Sequence, residues 1–131
     1  MFFKKEKVEA FSKITITMSG MRAIDEYEVI NNGDTSEVSQ YQIYYTKRED
    51  RSLMKRASLN TKEFIELLNK CNIIKWDGFI GNNPPGVRDG YMFTFLAEVN
   101  DGRIIKAEGS NNYPSHFNEL RQRLIKILYE E

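Results

Sequence analysis

The sequence has 131 residues, of which 40% are hydrophobic and 29% are charged, values typical of one globular domain spanning 1–131. Its 19 basic and 19 acidic residues cancel, which disfavours a nucleic-acid binder because such proteins carry a cationic excess that meets phosphates. No apolar run approaches the ~18 residues that cross a bilayer, and one cysteine cannot form an internal disulfide. These totals predict a cytoplasmic protein without a membrane partner.

The N-terminal half carries the patterns of four β-strands. Each segment either alternates apolar with polar residues or is rich in β-forming residues. Turn sequences separate the segments. The predicted strands lie around Ile14–Ser19, around Tyr27–Val29, at 38–46 and at 52–59.

A helix follows the fourth predicted strand. Asn60 is a favourable N-cap residue, and Glu63, three positions later, completes a variant of the capping box. The apolar side chains then recur at helical spacing, at Phe64, Leu68 and Cys71. The helix is predicted to end near Asn72.

The segment 91–109 predicts a β-hairpin whose register follows from burial. A two-residue loop at its tip would mix core and solvent residues on one face. A three-residue loop, Asn100–Gly102 with a left-handed glycine, instead pairs Ala97 with Ile105 and Phe95 with Ala107. We expect this second register, because a slip of one residue turns every side chain to the opposite face.

A last helix is predicted to begin near Pro114, whose fixed φ suits a first helical turn. Its apolar stripe comprises Phe117, Leu120, Leu124, Ile127 and Leu128. The element order is therefore ββββαββα. It predicts an α+β fold, an antiparallel sheet of about six strands with two helices packed on one face.

Few side chains are candidates for catalysis. His116 is the only histidine and is a candidate general base, and the carboxylates Asp77, Asp89 and Glu108 are the other catalytic candidates. This set predicts a small hydrolase as an alternative function. Two of those carboxylates precede glycine, however, and Asp–Gly is an ordinary turn sequence. Cys71 is interpreted as a small buried hydrophobe.

We expect neither a metal nor a cofactor. The lone histidine and the lone cysteine show no metal-ligand spacing. The glycines at 78, 81 and 86 are interrupted by prolines, so they do not form the loop that cradles phosphates between a strand and a helix.

Two loops that bracket the hairpin concentrate aromatic, arginine and asparagine side chains. Aromatic residues and arginine are the usual anchors of protein interfaces, and asparagine supplies adaptable hydrogen bonds. The candidate binding residues are Trp76, Phe79, Asn82, Asn83, Arg88, Asn111, Asn112 and Tyr113. In the alternative interpretation, Trp76 and Phe79 fill the open end of the core and the asparagines serve turns.

The C-terminal 55 or so residues carry a recognisable series of turn-rich motifs. They are Trp76–Phe79, Pro85–Val87, Asp89–Gly90 and Ala107–Pro114. This series resembles small uncharacterised α+β proteins of low-GC Gram-positive bacteria. The resemblance implies a bacterial, cytoplasmic setting. It implies no activity, so no catalytic residue is carried over.

The sequence thus predicts a non-enzymatic binding domain that contacts another protein through the loops around the 91–109 hairpin. Toxin-neutralising immunity proteins and phage accessory proteins are of this size and kind, which is an analogy. The alternatives are the small hydrolase described above and a small-ligand carrier. The carrier would hold a cavity between sheet and helices, lined by tyrosine and phenylalanine.

Overall fold

A seven-stranded sheet with two helices on one face makes up the fold. The computed structural model describes residues 6–45, 51–81 and 92–130. Its strands are β1 (Phe11–Ser19), β2 (Ala23–Asn31), β3 (Thr35–Tyr44), β4 (Arg51–Asn60), β5 (Ile80–Gly81), β6 (Met92–Val99) and β7 (Arg103–Ser110). Its helices are α1 (Thr61–Cys71) and α2 (Phe117–Tyr129), with a 3₁₀ helix, Ile73–Trp76, after α1.

The strand order across the sheet is β4-β3-β2-β1-β6-β7-β5. All neighbours are antiparallel except β5, which runs parallel to β7. The predicted α+β class, the antiparallel sheet and the helix positions are confirmed, with seven strands in place of about six. The added strand is β5, which has only two residues and therefore no periodic pattern that a sequence could show.

The hairpin register is the one predicted from burial. Ala97 pairs with Ile105 and Phe95 with Ala107. Gly102 has a φ of 91°, so the three-residue loop places its glycine in the left-handed region where a side chain is strained. The hairpin joins the other strands through β6, which pairs with β1 at the centre of the sheet.

Helix α1 begins and ends as its sequence indicates. The Oδ1 atom of Asn60 accepts a hydrogen bond from the backbone N–H of Glu63 at 2.9 Å, which satisfies one free donor of the first turn. Asn72 then adopts a left-handed conformation, with φ of 60°, and ends the helix.

Helix α2 begins three residues later than predicted. Pro114 is buried and lies in a turn, where its carbonyl accepts a hydrogen bond from the N–H of Phe117 at 3.1 Å. His116 has a φ of 72° and is the residue that precedes the helix. A left-handed residue cannot continue a right-handed helix, so the turn at Pro114 stays separate from α2.

The core lies between the helices and one face of the sheet, called here the inner face. Phe93 and Phe95 of β6 point into it and are 1% and 0% exposed. The rings of Phe11 and Phe64 meet edge to face at 5.3 Å, which packs α1 on β1. Residues that alternate with these along β6 and β7 face the opposite, outer face. No helix among the described residues has the length and apolar character that crossing a membrane requires.

Two asparagine side chains hold the segment that precedes β1. Asn69 of α1 accepts a hydrogen bond from the N–H of Val8 at 2.7 Å and donates one to its carbonyl at 2.9 Å. Asn100 accepts from the N–H of Glu9 at 2.7 Å and donates to the carbonyl of Lys7 at 3.2 Å. This pairing keeps Val8, which is 1% exposed, in the core.

Candidate functional site

The two loops that bracket the hairpin converge at one end of β5 and β7. The indole N–H of Trp76 donates a hydrogen bond to the carbonyl of Ser115 at 3.0 Å and so joins the loops directly. At the sheet edge, the N–H of Glu108 donates to the carbonyl of Phe79 at 3.0 Å. We define the loop platform as the four candidate binding residues that the structure gathers here: Phe79, Asn111, Asn112 and Tyr113.

An aromatic cluster supports the loop platform from below. Phe93 lies at its centre, 6.2 Å from the ring of Phe79 and 5.0 Å from that of Tyr113. Tyr113 also stacks on Phe117 at 5.2 Å with an angle of 9° between the rings. Phe79 and Tyr113 are themselves half-buried, so each rests on the core and leaves part of its ring at the surface.

Two glycines let the second loop cross the strands closely. A Cβ on Gly109 would lie 2.7 Å from the carbonyl oxygen of Asn112 and 2.8 Å from the Cε1 atom of Phe93. A Cβ on Gly81, in the neighbouring strand, would overlap the same carbonyl oxygen. The backbone of Asn112 therefore packs where only glycine leaves space, and sequence reasoning missed this contact.

The same loop contains two non-glycine residues in the left-handed region. Asn111 has a φ of 54° and His116 a φ of 72°. Asparagine tolerates this conformation, whereas histidine adopts it less often, at a cost on the order of 1 kcal/mol. The packing around the loop must therefore offset the strain of these two residues.

Burial decides between the two interpretations of Trp76. It is 2% exposed and its ring meets Phe95 edge to face at 4.8 Å, so it belongs to the core and presents no surface to a partner. Trp76 is therefore removed from the proposed binding patch. Asn112 is exposed and stays in the patch. The other three candidates, Asn82, Asn83 and Arg88, lie outside the described residues.

The three described residues of the hydrolase alternative, Asp77, Glu108 and His116, are not gathered into one cleft. The Oδ1 atom of Asp77 accepts a hydrogen bond from the backbone N–H of Lys106 in β7 at 3.1 Å. This carboxylate therefore binds the backbone of β7. Glu108 projects from the outer face of β7, whereas His116 lies on the helix side of the sheet. Asp89, the remaining carboxylate of that set, lies outside the described residues.

Glu119 connects the end of α1 to the start of α2. Its carboxylate lies 3.4 Å from Nδ1 of His116 and 3.5 Å from Nζ of Lys70, and it accepts a hydrogen bond from the thiol of Cys71 at 3.6 Å. Burial, and then the charge of Glu119, raise the pKa of Cys71 to about 12. The thiol stays protonated at neutral pH, which is the opposite of what a nucleophile needs. Among the described residues, no three His, Cys, Asp or Glu side chains are placed to hold a metal ion.

Open grooves lie outside the core in the described part of the chain. One of ≈ 960 Å³ runs between α1, α2 and β4, and another of ≈ 780 Å³ lies beside the start of α1. Polar and charged side chains make up most of the lining of each groove. The lining of the first groove includes one aromatic residue, Phe64, and that of the second includes none, so neither groove has the tyrosine- and phenylalanine-rich lining that the ligand-carrier alternative predicts.

The loop platform is the described part of the predicted binding patch, built on a packed aromatic cluster and two close-approach glycines. Its geometry depends in part on contacts between residues far apart in the sequence, such as Trp76 with Ser115 and Gly81 with Asn112. Comparison of the chain with protein-family models, with curated proteins and with solved structures found no match.

Proposed function

We propose that this protein is a non-enzymatic domain that binds another protein through the loop platform. The observation that supports the proposal is the convergence of two loops, distant in sequence, on one aromatic cluster. They leave Phe79 and Tyr113 half-buried and Asn112 exposed at a single surface. Aromatic side chains are enriched at interface centres, and asparagine supplies adaptable hydrogen bonds.

The rigidity of the loop platform also supports binding. Ordering a flexible loop on association costs roughly 0.5–1.5 kcal/mol for each immobilised side chain. Here the loop is already ordered by the left-handed Asn111, by the Trp76–Ser115 hydrogen bond and by the packing of Asn112 over Gly81. A partner would therefore meet a surface whose shape is set before contact.

The separate positions of Asp77, Glu108 and His116 weigh against the hydrolase alternative, and the filled core weighs against the carrier. The proposal includes the bacterial cytoplasm as the site of action, which the reduced, buried Cys71 suits. Immunity-type and phage accessory proteins remain the proposed classes, as an analogy of size and kind.

A pair of asparagine substitutions tests the proposal. Asn112→Arg places a bulky cation on the loop platform without touching the core, and Asn32→Arg makes the same change on the exposed β2–β3 turn. The tagged proteins are used to isolate partners from the producing cells, and the partners are quantified by mass spectrometry. We expect Asn112→Arg to lose a partner that the wild type and Asn32→Arg both retain.

Urea unfolding of all three proteins provides the control for folding. Equal free energies of unfolding are expected, because both asparagines are exposed. A partner that both variants retain, or that both lose, would show that the loop platform is not the contact surface.

A further inference from the structure

The turn between β2 and β3 contains the only Asn–Gly pair of the sequence, Asn32 followed by Gly33. Both residues are exposed, and nothing lies within 4 Å of the position that a Cβ atom would take on Gly33. Because glycine has no side chain beside its backbone nitrogen, that nitrogen is open to the amide group of the preceding asparagine. Water reaches both groups, so this pair has the chemistry of a modification site.

The reaction open to this pair is deamidation through a five-membered ring. Hydroxide removes the amide proton of Gly33, and the nitrogen attacks the side-chain carbonyl carbon of Asn32. The new C–N bond closes a succinimide while the C–NH₂ bond breaks, and ammonia leaves with a proton taken from water. Water then adds to either ring carbonyl and breaks one ring C–N bond, which leaves aspartate or isoaspartate. In balance, an amide and a water become a carboxyl group and ammonia.

The fold restrains the nitrogen that this reaction needs. The N–H of Gly33 donates a hydrogen bond to Oδ1 of Asn31 at 2.7 Å. A neutral amide oxygen accepts this hydrogen bond without taking the proton, so the contact stabilises the protonated, unreactive nitrogen. Asn31 is itself fixed, because its Nδ2 donates to the carbonyl of Phe11 in β1 at 2.8 Å. The neighbouring strand therefore holds the acceptor in place.

A second contact opposes ring closure by fixing the backbone of Asn32. Its N–H donates to the carbonyl of Thr35 at 3.0 Å, which closes the hairpin over the two-residue loop of Gly33 and Asp34. Gly33 has a φ of 111°, and glycine at the first position of such a loop is a favoured hairpin geometry. Turning the Gly33 nitrogen toward the Asn32 side chain takes the loop out of this geometry. Local opening of the turn therefore limits the reaction.

We propose that Asn32 is a site of spontaneous deamidation and that Asn31 is the residue that restrains it. The modification accumulates in molecules whose β2–β3 turn has opened. Aspartate at this position adds a negative charge to the turn at neutral pH, and isoaspartate also adds a carbon atom to its backbone. This site lies on a different element from the loop platform and does not depend on the proposed function.

The contact of the turn with α1 gives the modification a structural effect. The carbonyl of Asp34 accepts a hydrogen bond from the N–H of Thr61, the first residue of α1, at 2.9 Å. An added backbone carbon before Gly33 displaces Asp34 from this position. One hydrogen bond changes a folding equilibrium by about two- to tenfold. The isoaspartate form is therefore expected to unfold at a lower denaturant concentration than the unmodified chain.

Incubation of the folded chain in mildly alkaline buffer tests the proposal. The acidic product is quantified by ion-exchange chromatography and located by peptide mapping, and the guanidinium-unfolded chain at the same pH gives the unrestrained rate. Two hydrogen bonds, each changing an equilibrium by about two- to tenfold, are expected to slow the folded chain about tenfold or more. Asn32→Gln is the control for the site, because its longer side chain disfavours the five-membered ring. The product assigned to Asn32 should be missing from this variant.

A matched pair of substitutions isolates the acceptor. Asn31→Ala and Asn31→Asp both remove the Nδ2 donor to Phe11, but Asn31→Asp keeps an oxygen that accepts from the Gly33 N–H. Asn31→Ala is expected to deamidate at Asn32 about two- to tenfold faster than Asn31→Asp. Guanidinium unfolding checks that both variants are folded.

Hydrogen exchange of the Gly33 amide, followed by NMR in the wild type, tests the same hydrogen bond without a substitution. Exchange is expected to be about two- to tenfold slower than in the unfolded chain. Four results would each overturn the proposal. They are equal deamidation rates in the folded and unfolded wild type, the same acidic product in Asn32→Gln, equal rates in the two folded Asn31 variants, and a Gly33 amide that exchanges at the unfolded rate.

Discussion

The close approach of Asn112 to Gly81 and Gly109 makes a quantitative prediction for stability. In Gly109→Ala, the new methyl group would lie 2.7 Å from the Asn112 carbonyl oxygen, 2.8 Å from the Phe93 ring and 3.0 Å from the Gly81 Cα atom. Overpacking of this kind lowers the free energy of unfolding by about 1–3 kcal/mol. Replacing glycine by alanine also lowers the entropy of the unfolded chain, which raises the free energy of unfolding by about 0.4–1 kcal/mol. The expected net loss is about 1–2 kcal/mol, a large part of the ~5–15 kcal/mol that holds a domain folded.

The effects of the two glycines are coupled because they contact the same carbonyl. Once Gly81→Ala has displaced the Asn112 backbone, part of the space that Gly109→Ala needs is already open. The double variant is therefore expected to lose less stability than the sum of the single variants, by about 0.5 kcal/mol or more. Gly33→Ala is the matched control. It lies in the β2–β3 turn at a φ of 111° with nothing near its Cβ position, so its strain should add to that of Gly109→Ala.

Urea unfolding with a shared m-value measures all of these free energies. The reasoning would be refuted if Gly109→Ala matched the wild type, or if the Gly81/Gly109 double variant were additive within about 0.3 kcal/mol.

Three further predictions concern α1. Asn60→Ala removes the acceptor for the Glu63 N–H and should lower the free energy of unfolding by about 1 kcal/mol in the same urea assay. An unchanged free energy would show that the Asn60 cap does not stabilise α1. A thiol pKa of about 12 in place of 9.0 should slow modification of native Cys71 by a disulfide reagent at pH 8 about a thousandfold relative to the urea-unfolded chain. Comparable rates would contradict the burial. Because the unfolded thiol ionises near pH 9.0 and the folded one near 12, this group's contribution to stability should fall as pH rises between those values. Cys71→Ala should lack that loss.

The elements that the sequence predicted correctly are those set by neighbouring residues. The alternation of Ile14 and Ile16, the Asn60 cap and the hairpin tip at Asn100–Gly102 each depend on interactions within a few positions of the chain. The register of the hairpin followed as well, since only one pairing puts its apolar side chains on a single face. The convergence of two loops at the candidate site was also an expectation of the sequence, because both loops flank that hairpin.

Tertiary contacts between distant residues decided the rest. The two-residue strand β5 exists because the segment before it hydrogen-bonds to β7, about thirty positions away, and no local pattern marks it. The late start of α2 at Phe117 reflects the left-handed His116, and the burial of Trp76 reflects its contacts with Phe95 and the Ser115 carbonyl. Local sequence determined which segments are strands and helices, because φ/ψ preference and periodicity act between neighbours. Which aromatic side chains fill the core and which remain at the surface was decided only when packing brought the loops, the hairpin and α2 together.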